Sequence, residues 1–327
     1  MQKETINSVL YLQLVIIFSL IALLIALIKI IYENYIQNNS ITPPNPHTPI
    51  FYYINLDKSI NRKQRYEERL SKYQDVQTER IAAITPHDIK KYKIYISPTC
   101  KINTELEIAC TLSHLKSIFI AYKNLIYNIS KNKNTNNYAL ITEDDLITLE
   151  MPDWIKLVNS APPNWEILQL VASGPLAEQM YNKNTLGWQK HIHNMWCCAA
   201  YLINLQGMIT ILDSCIPEYK NIDNWNDITI INLDHNNVNC ASDHIIYSIA
   251  NTYTYTNPLF NVEGIDSTIH SHHLPTHLQT INVINNRFNH SQKNNNLNNN
   301  LNNNLNNNLN NNLKNNNNLI IDSDSIL

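Results

Sequence analysis

Between residues 50 and 250, short β-branched and aromatic runs alternate with segments whose apolar residues recur at helical spacing. The run 50–56 (IFYYINL) is suited to a strand buried on both faces, and the charged, helix-forming stretch 61–73 follows Ser59. Residues 80–84 offer a second strand. Over 104–129 the apolar positions Leu106, Ala109, Cys110, Leu112, Leu115, Ile118, Phe119 and Tyr122 predict a long buried helix, with Thr104 as cap and Glu107 at the capping-box position. A strand over 138–142 leads into Glu143-Asp144-Asp145. A short helix (151–160), strands at 165–171 and 197–203, and helices at 205–215 and 242–250 complete the pattern. Alternation of this kind predicts an α/β fold, a mostly parallel sheet covered by helices. Ligands of such sheets bind beyond the carboxyl ends of the strands, where this order places Asn55, Asp57 and the acidic triplet.

The two ends lack this pattern. Residues 9–28 carry no charge, and Gln13 and Ser19 are their polar members. As a helix of 1.5 Å rise per residue, such a run matches the hydrocarbon core of a bilayer, and no small-residue cleavage site follows it. The expectation is an uncleaved transmembrane anchor within 1–32. Lys3 and Lys29 flank the span, so the positive-inside count does not orient it. A Pro- and Asn-rich stalk follows over 33–49, with Pro43, Pro44, Pro46 and Pro49 disfavouring helix and central strand. The predicted globular domain is 50–277, and 278–327 is an Asn-rich low-complexity tail. Over 293–318 the leucines at Leu297, Leu301, Leu305, Leu309 and Leu313 are too few to offset chain entropy, which predicts disorder there, a weak helical or self-associating segment being the alternative.

Composition removes several activities. The chain has four isolated glycines, so neither a Walker loop nor a dinucleotide fingerprint can be written onto it. With 24 Lys+Arg against 27 Asp+Glu there is no broad cationic surface, which argues against nucleic acid as a partner. Six cysteines without a C-x-x-C pair give no zinc-ribbon or thioredoxin motif and read as buried thiols. Cys197 and Cys198, adjacent on a predicted strand, point to opposite faces. Sequons at Asn38, Asn128 and Asn289 fit a lumen but are expected by chance in so Asn-rich a chain.

Three consecutive carboxylates at a strand end repel one another unless something positive sits among them. A hard dication such as Mn²⁺ or Mg²⁺ takes carboxylate oxygens and leaves positions for phosphate oxygens, so Asp144 and Asp145 are candidate ligands for a metal–diphosphate complex. The alternative is a helix cap or a solvated turn.

The segment Ile54-Asn55-Leu56-Asp57-Lys58-Ser59, followed by Arg62 and Arg65, resembles the opening INLDRS-x-x-R motif of glycosyltransferase family 25, the lipooligosaccharide glycosyltransferases and procollagen galactosyltransferases. Further blocks follow in the family's order. They are Ala83-Ile84 near its xAxDG position, Ala109-Cys110-Thr111-Leu112-Ser113-His114 for its GC-x-x-SH helix, residues 139–145 for its LVLEDD strand, and residues 199–203 for its TAAYLIS strand. The likeness covers roughly 50–260. It implies a GT-A-like α/β fold, a UDP-sugar donor, a divalent metal, and inverting transfer of a hexose to a hydroxyl of a glycan or protein. By the same analogy Asn55 and Asp57 lie at the nucleotide pocket, and Arg62 or Arg65 offers a forked guanidinium to phosphate. Asp144 and Asp145 match the metal and donor motif, with Glu143 supporting their loop. Ser113 and His114 match a site motif, against a reading of His114 as a core histidine. Inversion needs a base near the acceptor hydroxyl. Asp243 resembles the family's late Asp in P-x-D-x-x-L and opens a helix, where it serves as base or as cap.

The sequence departs from the family at Thr85-Pro86-His87-Asp88, where DG is absent, and at Ala109, where the family has glycine. His270, His272, His273 and His277 fit no closed zinc spacing. Galactose and glucose are not distinguished, nor is the acceptor named. The corresponding location is a single-pass membrane, type II-like with a luminal catalytic domain, or a host or virion membrane if the chain is viral. A catalytically silent, membrane-tethered binding protein on the same fold is the alternative.

Overall fold

The computed structural model describes residues 48–97, 104–131, 133, 136–183, 185–235, 240–263 and 278–290. The anchor (9–28), most of the stalk, the histidines 270–277 and the tail beyond 290 lie outside these residues. No helix among the described residues is long and apolar enough to cross a membrane.

The strands in chain order are β1 (Phe51–Asn55), β2 (Thr78–Ala82), β3 (Lys93–Tyr95), β4 (Tyr138–Glu143), β5 (Leu146–Thr148), β6 (Ile167–Gln169), β7 (Trp188–Lys190), β8 (Ala200–Asn204), β9 (Ile230–Asn232), β10 (Thr252–Tyr255) and β11 (Phe260–Val262). The helices are α1 (Ile60–Ser71), α2 (Glu105–Ser130), α3 (Trp154–Asn159), α4 (Pro175–Asn182), α5 (Leu205–Cys215), α6 (Ser242–Ile249) and α7 (278–290). Seven strands form the central sheet in the order β2-β1-β4-β8-β6-β10-β7. Five share one direction, while β8 and the edge strand β7 run against it. The sheet is mainly parallel, as predicted, but mixed at β8. Two small sheets, β5–β11 and β3–β9, flank it.

The period of two along each strand divides the core into two apolar layers. Tyr52, Ile54, Ala139, Ile141, Tyr201 and Ile203 face the layer built with α2, α5 and α6. Phe51, Tyr53, Tyr138, Leu140, Ala200 and Leu202 face the layer built with α1, α3 and α4. Every residue of β1 is buried, so the continuous apolar run 50–56 reflects a strand covered on both sides. Local signals set several boundaries. Thr104 and Glu107 form the predicted capping box on α2, each side chain accepting the other's backbone N–H. Asp153 accepts from the Lys156 N–H, which starts α3 later than the predicted residue 151.

Two readings need correction, and six strands were not predicted. Cys197 has φ of 91°, outside extended space, so β8 begins at Ala200 and the two adjacent thiols are not a strand pair. The segments β3, β5, β7, β9, β10 and β11 are too short to show a period in sequence. Residues 278–290, assigned above to the tail, are helical and join the α1, α3, α4 layer through Ile284, which is 1% exposed. Arg287 donates to the Thr185 carbonyl and Asn261 to Asn285. The composition of the segment hid this because one buried isoleucine and a few polar contacts carry the packing.

Candidate functional site

Parallel register aligns the carboxyl ends of β1, β2 and β4: Asn55 pairs with Ala82, and Ile54 with Glu143. Because β8 is antiparallel, its start reaches the same edge, and the Glu143 N–H donates to the Ala199 carbonyl at 3.0 Å. This edge gathers Asn55, the triplet 143–145 and Cys197–Cys198.

Asn55 is 2% exposed and occupies the centre of the first cluster. Its Nδ2 donates to Asp144 Oδ2 at 2.6 Å, and its Oδ1 accepts from Arg80 Nε at 2.9 Å. Arg80 also pairs with Asp57 at 2.5 Å, leaving Asp57 itself largely in solvent. The positive charge required by the triplet comes from α1. Arg62, Arg65 and Arg69, at spacings of three and four, share a helix face. Arg62 pairs with Asp144 and, at 3.4 Å, with Asp145. Arg69 donates to the Asp144 carbonyl at 3.2 Å and pairs with Glu263. Arg65 forks onto the same Glu263 at 3.1 and 3.0 Å. The β5–β11 pairing brings Glu263 there, and its N–H donates to the Asp145 carbonyl at 2.9 Å. A bond of 2.6 Å between the Tyr66 and Thr142 hydroxyls fixes α1 to β4.

The electrostatics follow from these contacts. Burial pushes Asp144 up, while Arg62 and Asn55 pull it back. Burial, with Glu143 second, pushes Asp145 up to about 7. Burial pulls the Arg62 guanidinium down, and Asp145 and Asp144 more than reverse it. Asp145 Oδ1 is buried without a hydrogen-bond partner. An orphaned carboxylate oxygen beside a second carboxylate is a donor set that fits a hard dication, with Arg62 covering the neighbouring oxygens.

Of the remaining predicted site residues, Asp243 reaches this edge at Cys197. Asp243 is the second residue of α6, and its carboxylate accepts from the Cys197 N–H at 3.0 Å and the His244 N–H at 2.9 Å. It is therefore not the cap, which is Ala241. Ser113 is not brought to the cleft. Its hydroxyl is buried, accepting from the Ile84 N–H at 2.8 Å and donating to the Ala109 carbonyl at 2.7 Å. His114 is fully buried between Tyr201 and Glu143. Arg65 is engaged by Glu263. Arg69, Arg80 and Glu263 were missed by the sequence reading. Arg69 alone carried a signal, continuing the arginine spacing of α1.

A family model described as glycosyltransferase family 25 (LPS biosynthesis protein) matches residues 48–225, spanning β1 through the segment after α5. No curated protein matches the chain.

Proposed function

Because this chain belongs to glycosyltransferase family 25, and so transfers sugar from a donor to a glycan acceptor, we propose that its reaction moves a hexose, galactose or glucose, from a UDP-sugar to a hydroxyl of a glycan or protein. The reading includes inversion at the anomeric carbon and dependence on Mn²⁺ or Mg²⁺. Its main support is the acidic tip of β4, held against Asn55 and Arg62 at the edge where α/β sheets bind ligands.

Asn55 and Asp57 would border the nucleoside, with Arg80 bracing both. Arg62 would turn its fork from the carboxylates to the diphosphate, a planar match for two phosphate oxygens. Asp144 and Asp145 would hold the dication, which when bound neutralises charge on the leaving diphosphate. Asp243 would take the acceptor proton as the hydroxyl oxygen bonds to the anomeric carbon and the bond to the diphosphate oxygen breaks. Each Asp243 oxygen accepts one N–H, which orients the carboxylate and leaves a lone pair for that proton. In this reading residues 9–28 tether the domain to a membrane, with catalysis on the luminal side.

Sugar transfer and donor hydrolysis by the full-length chain, across a panel of UDP-sugars with Mn²⁺, test the proposal. Asp144→Ala and Asp145→Ala are expected to lower kcat/KM by about a hundredfold or more, as loss of a charge-stabilising group does. Equal activity in both variants contradicts the assignment.

A further inference from the structure

On the far side of β4 from Arg62, a second set of ligand-type side chains converges. Alternation along β4 turns Thr142 to Tyr66 and Glu143 toward α2, where Cys110 and His114, four residues apart, share one helix face. One donor atom from each of Cys110, His114 and Glu143 lies within 4.8 Å of the other two. We propose that Cys110 Sγ, His114 Nε2 and the Glu143 carboxylate form a binding site for a thiophilic divalent cation of the zinc class. This site is separate from the all-oxygen tip at Asp144 and Asp145, and it stands whether or not the proposed sugar transfer does.

The donor chemistry makes the distinction. A sulfur, an imidazole nitrogen and one carboxylate oxygen suit Zn²⁺, whereas Mg²⁺ and Mn²⁺ favour oxygen-rich sets. Bonds of about 2.0–2.3 Å to a tetrahedral ion put ligand atoms about 3.3–3.7 Å apart, so the set must close by about 1 Å. His114 Nε2 and Glu143 Oε1 already stand at 3.3 Å. Glu143, with a side chain 32% exposed, has room to complete the movement.

The surroundings supply the second requirement, an oriented imidazole. His114 Nδ1 lies 3.3 Å from the Tyr201 hydroxyl. The phenol oxygen can accept from Nδ1–H, which frees Nε2 for metal. Cys110 is half-buried, and its Sγ lies 3.7 Å from the Ser242 hydroxyl. A dication here offsets the Glu143 carboxylate and takes the sulfur as thiolate, the thiol proton leaving to water. Three protein ligands leave a fourth position open, as in exchangeable rather than closed structural sites.

Titration of the full-length chain with Co²⁺, a spectroscopic substitute for Zn²⁺, tests this directly. The expected result is a thiolate-to-cobalt charge-transfer band that saturates at about one equivalent and is displaced by Zn²⁺. Cys110→Ser removes the band, Glu143→Gln weakens affinity about tenfold or more while keeping it, and Asp144→Asn leaves it in place. Absence of the band in the wild-type chain overturns the proposal. So does its persistence in Cys110→Ser, which would give the thiolate to another cysteine. Should that variant fail to fold, unchanged Co²⁺ affinity in Glu143→Gln overturns it as well.

Discussion

Single side chains at the carboxyl edge answer to one another across long stretches of chain. Asp145, raised to about 7, and Arg62, raised by its two partners, balance charges that neither could hold alone in a partly buried place. His191 shows the opposite case, a half-buried base. Its Nδ1 lies 3.2 Å from Gln169 Oε1, its ring packs 4.9 Å from that of Tyr247, and burial, with His193 and His244 next, lowers it to about 4. Unfolded, an imidazole binds its proton near pH 6.5, so the unfolded chain holds more protons between 4 and 6.5. The contribution of His191 is therefore full above pH 6.5 and falls as pH drops through that window. The loss is about 2 kcal/mol once partial exposure is discounted. Asp145, raised to about 7, acts with the opposite sign over an overlapping window, so the His191 contribution is read as a difference: from pH 7 to pH 4 the urea midpoint of the wild-type chain should fall relative to that of His191→Gln. Which residues were legible follows from distance along the chain. Asn55, Arg62, Asp144 and Asp145 sit in contiguous blocks and could be read. Glu263, which takes Arg65 from 198 positions away, could not, because nothing local marks a partner so remote.

At the scale of elements, legibility tracked length and caps. α2 and α5 were readable because period and boundary residues agree over several turns: Thr104 caps the first, and Asn204, whose side chain accepts the Gly207 N–H, caps the second. Thr104→Ala breaks the capping box while leaving the buried face of α2 untouched, and should cost about 1 kcal/mol in chemical denaturation. Because Cys110 and His114 lie within the first three turns of that helix, fraying from this end would also loosen their spacing. Apart from β6, read within the run 165–171, the three-residue strands were not readable, since pairing partners rather than propensity make them strands. That is why the small β5–β11 sheet, which delivers Glu263, had no sequence signal.

For the whole molecule, the described residues form a sheet with helices on both faces, and the carboxyl ends of β1, β2 and β4 meet the start of β8 at one edge. The domain does not stop where composition changes: α7 closes the layer under α4, with Gln279 and Thr280 reaching Glu178. Ile284→Ala should destabilise the chain by about 2–4 kcal/mol in urea, the cost of emptying a fully buried site. A surface tail would show no change. The mixed direction at β8 was equally invisible beforehand, because a covered strand looks the same whichever way it runs. The central claim is that the tip of β4 receives a nucleotide diphosphate together with a dication. Calorimetric titration of UDP into the full-length chain, with Mn²⁺ and after chelation, tests it most directly. Affinity should fall about tenfold or more on chelation and lose its metal response in Asp145→Ala. The same affinity under all three conditions would contradict it.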